Sequence, residues 1–473
     1  MTILPLHPAN HASPAALREF LEQCRGAAVR DAHAKLVSIS LAVEALDPLA
    51  VLESIFEPDE PHFYSERPAL ETAIAGAEIA VSHEARGADR FAVVKTWVGE
   101  MLAHTIAVGD VTAPFGGPHF FSAFAFHDEV ETGEPFPAAS IFVPRWQVAL
   151  AGRTTTAVAN LLVTPAADLD ALARRVWRAH QRFHEIGAQA APAADAEVPG
   201  TPVFQMRETG HYRLAVARAL ERISAGEFGK IVLARAQDLT ADRLLHPLRM
   251  LNGLRQRFPD CYAFSFAHGR GPSFIGASPE RLIRVSKGVL ETEALAGSIR
   301  RGVSASEDAA LATTLLRSGK DLHEHRQVID DIVARLAPLG IIPETPAAPQ
   351  VRRLANVQHL HTPIHAKLPD GVHLFDALAA LHPTPAVGGT PRDPAVGRIR
   401  ELEGFPRGLY AGTLGWLNSR GGGEFFVGIR SALVAGAKAR VYAGAGIVAG
   451  STPEREFAET ELKFKAMIEA IVA

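Results

Sequence analysis

Two acidic pairs of matched spacing stand far apart in the chain. In EREFAETELKFKAM, Glu456 and Glu459 are three apart, so a helix would place them on one face, with Lys463 continuing that face at i+4. In KDLHEHRQVID, Asp321 and Glu324 repeat the spacing. Two helices that each offer such a pair could enclose a hard cation, through direct ligands and water-mediated groups. Mg2+ in particular keeps several waters and takes one or two protein carboxylates plus an anionic substrate. Spacing alone fits two solvated helix faces as well.

Just before the Glu456–Glu459 pair lies GAGIVAG, which follows the strand-like ARVY and has the Gly-x-Gly-x-x-Ala spacing of a dinucleotide loop. That loop needs a second strand with an acidic residue about 20 positions on. Only 23 residues follow Gly450, and their pattern is helical to the end. The dinucleotide reading is set aside; Gly444 and Gly446 instead suit a close backbone approach to a small anion. Pro453 suits the first turn of the helix that follows, and Ser451 with Glu454 fits a capping box.

A lysine and a glutamate complete the candidates. Lys230 heads the apolar run KIVLARA, where a buried lysine loses hydration and could serve as a base. The plainer reading is a strand-end lysine reaching solvent. Glu280, in FIGASPERLI, comes just after a strand and behind Ser-Pro, where it could be an acid or simply help a helix cap. A base and an acid on opposite sides of a substrate suit the exchange of one hydroxyl for another. The spacing does not show that the two meet.

These residues need elements to hold them. Helical periods appear at ASPAALREFLEQCRG, DLDALARRVWRAHQRFHEI, HYRLAVARALERISAGE, 304–338 and 452–472. Strand-like runs such as KLVSISLAV, KIVLARAQDL, CYAFSFAHG and GEFFVGIRSALVAG are separated by short turn signals, which favours antiparallel pairing over a repeated βαβ plan. The fold class is therefore α+β, helices on large antiparallel sheets. Residues 187–202, rich in Ala and Pro, read as a linker or long surface loop. With 473 residues, 47% apolar and 21% charged, the chain describes an ordinary globular protein. A net charge of −4 gives no basic field for nucleic acid. Two cysteines, Cys24 and Cys261, fit a reducing cytoplasm, and neither a signal peptide nor a membrane span is legible.

Taken together, KIVLAR, GASPERL, TEALAGS, KDLHEH, QHLHTP, LHPTPAVGG, FFVGIRSA and YAGAGIV with EREFAETELK resemble, in order, the motifs of the chorismate-utilising enzymes. That family includes isochorismate, anthranilate, salicylate and aminodeoxychorismate synthases. The likeness covers essentially all of residues 205–473. It implies one composite α+β fold of two large antiparallel sheets flanked by helices. Residues 201–473 would form its chorismate-binding catalytic region and residues 1–200, with HFYSERP, its more variable half. It implies Lys230 as the base that activates water and Glu280 as the acid at the departing C4 hydroxyl. Glu324 and Glu459 match direct Mg2+ ligands, with Asp321 and Glu456 in supporting, water-mediated places. Arg430, Lys463 and the amides of Gly444 and Gly446 match substrate-carboxylate groups, with Gly297 and Ser298 beside the ring. His359 and His382 match motif histidines of open role.

The segment LHPTPAVGG has the isochorismate-synthase form, with Ala386 where lyase members carry a threonine. TEALAGS places Ala296 where the aminodeoxychorismate enzymes carry a nucleophilic lysine. The implied reaction is addition of water at C2 of chorismate with loss of the C4 hydroxyl, feeding menaquinone or siderophore synthesis. The alternative is a salicylate- or anthranilate-type lyase. No glutaminase nucleophile is evident in EQCRG or PDCYA, so no glutaminase subunit is expected. The sequence is silent on oligomeric state.

Overall fold

The computed structural model describes residues 1–4, 13–188, 203–354 and 357–471. Most of the expected linker, from residue 189 to 202, lies outside them. From the N-terminus run β1 (Thr2–Leu4), α1 (Pro14–Asp31), β2 (Lys35–Val43), α2 (Pro48–Ser54), β3 (Pro61–Arg67), β4 (Thr72–Ala85), α3 (Arg90–Ala103), β5 (Thr105–Gly109), β6 (His119–Phe124), β7 (Ala139–Ala151), β8 (Thr154–Val163) and α4 (Leu169–Ala188). Next come β9 (Phe204–Thr209), α5 (Tyr212–Ser224), β10 (Lys230–Ala241), α6 (Pro247–Arg257), β11 (Tyr262–His268), β12 (Ser273–Ser278), β13 (Arg281–Ser286), β14 (Val289–Arg300), α7 (Ala305–Arg317) and α8 (Gly319–Leu336). The last third holds β15 (Gln350–Arg353), β16 (Val357–Lys367), α9 (Leu374–Leu381), β17 (Gly389–Thr390), α10 (Arg392–Glu403), β18 (Thr413–Asn418), β19 (Gly423–Val427), β20 (Ser431–Ala435), β21 (Lys438–Val448) and α11 (Pro453–Ile471).

The fold is α+β, and its pairing is antiparallel except where β5 lies parallel to β1 and β2. One ladder runs β9–β10–β21–β20–β12–β11–β3–β4–β7. At β7 it divides. The first residues of β7 pair with β6 and lead through β18, β19, β13 and β14 to β16 and β15. The last residues of β7 pair with β8 and lead to β2 and β5. The two expected sheets are thus joined by continuous hydrogen bonding through β4 and β7.

Helices cover this ladder where their apolar faces match it. In α11, Phe464, Met467, Ala470 and Ile471 are buried with Leu251 and Leu254 of α6 in one core. The two helices approach so closely that a Cβ on Gly253 would stand 2.6 Å from the Ala470 carbonyl oxygen, which explains the glycine. Truncating Phe464 to alanine there would cost roughly 3–5 kcal/mol. The helical stretch expected at 304–338 is two helices. Ser318 ends α7, and its Oγ accepts from the Asp321 N–H at 3.3 Å, starting α8 afresh. This break sets the direction of the KDLHEH acids. No helix of the described residues is long and apolar enough to cross a membrane. Cys24 and Cys261 are free and buried.

Candidate active site

Lys230 opens β10, directly opposite Val448 of β21. The side chain is only 8% exposed, so the strand-end reading in which it reaches solvent does not hold. Its Nζ donates to Glu324 Oε1 of α8 at 2.7 Å. On the neighbouring strand, a Cβ at Gly446 would lie 3.1 Å from Lys230 Cε, so the glycine leaves room for the lysine.

The ladder also sets where the β21 amides point. The Val232 N–H is bonded to the Gly388 carbonyl and the Ala234 N–H to Glu403 Oε1, both away from β21. Val232 stands opposite Gly446 and Ala234 opposite Gly444, so these are the non-hydrogen-bonded pairs of the antiparallel ladder. The N–H groups of Gly444 and Gly446 therefore point to the other edge. There, β20 pairing has already ended with Ser431 opposite Tyr442. The Gly444 carbonyl, on that same edge, accepts from Lys463 Nζ at 2.6 Å, and Lys463 also binds Glu459 Oε1 at 2.8 Å. Two amides and an ammonium thus converge where a carboxylate could be bound.

Arg430 stands beside that edge with φ at +50°, a left-handed conformation that strains a non-glycine residue. Its carbonyl accepts from the Ala277 N–H at 3.0 Å, which pins it to β12. The Arg430 guanidinium makes no hydrogen bond or salt bridge among the described residues, and burial lowers its pKa. A half-buried cation without a protein partner favours an anion beside it.

Glu280 lies between β12 and β13, with no helix to cap, so the capping alternative falls. It is 8% exposed. Its N–H reaches Ser278 Oγ at 3.3 Å, and its carbonyl accepts from Val427 N–H at 3.1 Å. Burial first, then the charge of Glu293, pushes its carboxyl up to about 7, against the pull of Thr384, Lys230 and Arg352. Glu280 thus keeps a proton near neutrality, within reach of the Lys230 charge.

Both acidic pairs sit at the starts of their helices. Burial disfavours charge on Glu324, but Lys230 outweighs it and holds the carboxyl below its usual value. Burial raises Glu456, aided by Glu459, and Ser451 hydrogen-bonds to it. The Lys320 charge bears on both Glu324 and Glu456, so the openings of α8 and α11 face a common space. The expected Ser451–Glu454 box is absent: Thr452 Oγ1 accepts from the Arg455 N–H at 3.4 Å, while Ser451 Oγ accepts from Val448 N–H. Ser451 serves the strand end and Glu456 instead. Among the described residues, no group of three or more His, Cys, Asp or Glu is placed to hold a metal. The carboxylates of Glu324 and Glu459 are nonetheless compatible with Mg2+, an ion that takes only one or two from the protein. Each of them has one oxygen on an ammonium, and their donor chemistry is all carboxylate oxygen.

Gly297 and Ser298 bound this space from β14. The register against β16 slips between Ala296 and Ser298, and Gly297 at the bulge has φ +75°. A Cβ there would meet Asp321 Cβ at 3.1 Å. Ser298 Oγ lies 2.7 Å from His359 Nδ1. Burial, with the charges of Arg430, Lys463 and Arg352, lowers His359 to about 3, and its Nε2 is buried without a partner. That neutral imidazole marks the same chamber. His382 does other work: burial lowers it to about 3, and its Nε2 donates to the Phe126 carbonyl at 3.3 Å. The sequence reading missed Thr384, 3.5 Å from Glu280 Oε1, and Tyr410, whose hydroxyl would lie 2.8 Å from a Cβ at Gly444. Thr384 is inside the quoted LHPTPAVGG; Tyr410 has no local signal at all.

With this geometry in place, comparison with known proteins is informative. Residues 19–472 match the family described as chorismate binding enzyme. The chain belongs to the chorismate-binding enzyme family. A salicylate biosynthesis isochorismate synthase of Pseudomonas aeruginosa is 36% identical over 100% of this chain and 96% of that protein. The isochorismate synthase MenF of Bacillus subtilis is 32% identical over 93% and 94%. Among solved structures, MenF, the menaquinone-specific isochorismate synthase from Escherichia coli, superposes with a TM-score of 0.76 at 26% identity. It covers 96% of this chain and 100% of that one. This chorismate-binding chain therefore matches these three isochorismate synthases over at least 94% of their length.

Proposed function

We propose that this chorismate-binding enzyme is an isochorismate synthase, an isomerase that moves a ring hydroxyl from C4 to C2. The observation that carries the reading is the buried Glu280 carboxyl, held up to about 7 in the chamber that Lys230 enters. Lys230, charged in its resting ion pair with Glu324, first gives that proton up to solvent; as a neutral amine it then takes a proton from water as the water oxygen bonds to C2. The ring double bonds shift, the C4–oxygen bond breaks, and Glu280 gives its proton to the departing hydroxyl. One water enters and one leaves, with no change in oxidation state. Arg430, Lys463 and the amides of Gly444 and Gly446 hold substrate carboxylate, while Gly297 and Ser298 border the ring. Water is the nucleophile, so no glutaminase partner is needed.

Glu324 and Glu459 would hold Mg2+, with Asp321 and Glu456 acting through water. When bound, the ion neutralises substrate carboxylate and fixes the ring. EDTA, Glu324→Gln or Glu459→Gln should abolish turnover without unfolding the protein, and either variant should weaken Mg2+ binding in a titration. Full activity in EDTA would remove the metal from the reading.

Product analysis tests the activity itself. Purified protein with chorismate and Mg2+ should give isochorismate with little pyruvate, because Ala386 replaces the lyase threonine and Ala296 offers no nucleophile. Stoichiometric pyruvate with salicylate would move the enzyme to the lyase alternative. Menaquinone supply is the role we favour.

A further inference from the structure

Glu293, on β14, takes no part in the reaction above, yet it is one of the most tightly held acids in the molecule. Its side chain is 4% exposed. Oε1 accepts from the backbone N–H of Arg281 at 3.0 Å and from Arg352 Nη1 at 3.0 Å. Oε2 lies 2.9 Å from His361 Nε2, and Arg281 Nη2 stands 3.9 Å away. Arg281 directly follows Glu280, so one oxygen of Glu293 grips the peptide beside the acid. We infer that Glu293 is a positioning residue for Glu280: it fixes the chain at the acid and draws Arg352 to itself, leaving the buried Glu280 carboxyl as a proton donor. This inference rests on Glu280 being the general acid.

The surrounding charges give the sign. Glu280 faces Lys230 of β10, Arg352 of β15, Glu293 of β14 and the Thr384 hydroxyl. Glu293 faces Arg281 of β13, Arg352 and His361 of β16. Burial opposes charge on Glu293, but the His361 hydrogen bond and the charges of Arg352 and Arg281 hold it down at about 2. Glu293 is therefore an anion at any working pH, and its charge disfavours a second anion at Glu280. Arg352 has the opposite effect on Glu280, and Glu293 occupies it. The register sets this up: Arg352 stands opposite His359, and His361 opposite Leu295. Arg352, His359 and His361 thus share one sheet face that runs from the clamp into the chamber.

The test is the pH profile of kcat/KM. Glu293→Gln keeps the shape, removes the charge and leaves Arg352 facing Glu280. The basic limb should move down by about one pH unit, the scale of a neighbouring charge. Activity lost at pH 7.5 should then return in more acidic buffer. Arg352→Gln should move the limb upward, and Glu293→Asp should leave it in place with a lower kcat. Loss of rate at every pH, with the limb unmoved in both charge variants, would overturn the inference. If Glu293→Gln does not fold, the Arg352→Gln limb decides alone. Glu280→Gln separates the two levels. Activity retained there removes the acid itself, whereas an inactive Glu280→Gln beside unmoved limbs removes only the role of Glu293.

Discussion

Glu280 concentrates the argument at the scale of one residue. A carboxyl held up to about 7 is a donor below that pH and a spectator above it, so kcat/KM should fall as pH rises through about 7. Glu280→Gln should lose at least about a hundredfold in kcat, the usual contribution of a positioned acid. The same shift has a stability consequence. The folded state binds this proton more tightly than the unfolded chain, whose ordinary value is 4.5. Stability from this group is therefore full below about 4.5 and lost as pH rises toward 7. Glu280→Gln should thus be more stable than the parent at pH 8, by on the order of 1–3 kcal/mol, and melt higher there, with no gain at pH 4. Equal melting at both values would mean that the site does not disfavour the charge. The residue types were legible: the sequence singled out Lys230, Glu280, the two acidic pairs and the glycines, and the structure buries Lys230 and Glu280. Their partners were not, because Thr384 reaches Glu280 across 104 residues and Tyr410 has no motif to announce it.

At the scale of elements, the glycines of β21 and β14 do different jobs. Gly297 needs its positive φ at the bulge, whereas Gly446 is simply a gap beside Lys230. Gly446→Ala should therefore leave the melting temperature within a few degrees of the parent but lower kcat at least tenfold by displacing the Lys230 amine. A near-normal kcat would show that the amine tolerates the added methyl. The helix starts were partly legible. The i, i+3 spacing placed each acidic pair on one helical face, but the break at Ser318 was hidden by a period that runs through it. The Ser451 cap failed for a physical reason: Ser451 is still occupied by the end of β21. Local propensity names candidates for a cap, and the strand that precedes it decides among them.

At the scale of the molecule, the ladder weaves early and late strands together. β3 pairs with β11 and β6 with β18, across some 200 and 300 residues of chain. No local pattern encodes such pairings, which is why antiparallel sheets were legible and their joining at β7 was not. A fragment of residues 201–473 alone would expose the edges of β11 and β18, and it should be insoluble or lack a cooperative melt. A soluble, cooperatively folding fragment would make the catalytic region an independent domain. In the proposed reaction Lys230, Glu280 and the free edge of β21 border one chamber, and the central claim is that water enters there. Chorismate turned over in 18O-labelled water, sampled early before the reverse reaction scrambles the label, tests this most directly. Isochorismate should carry one 18O, at C2, with no matching pyruvate. Unlabelled isochorismate, or pyruvate released in step with chorismate loss, would contradict it.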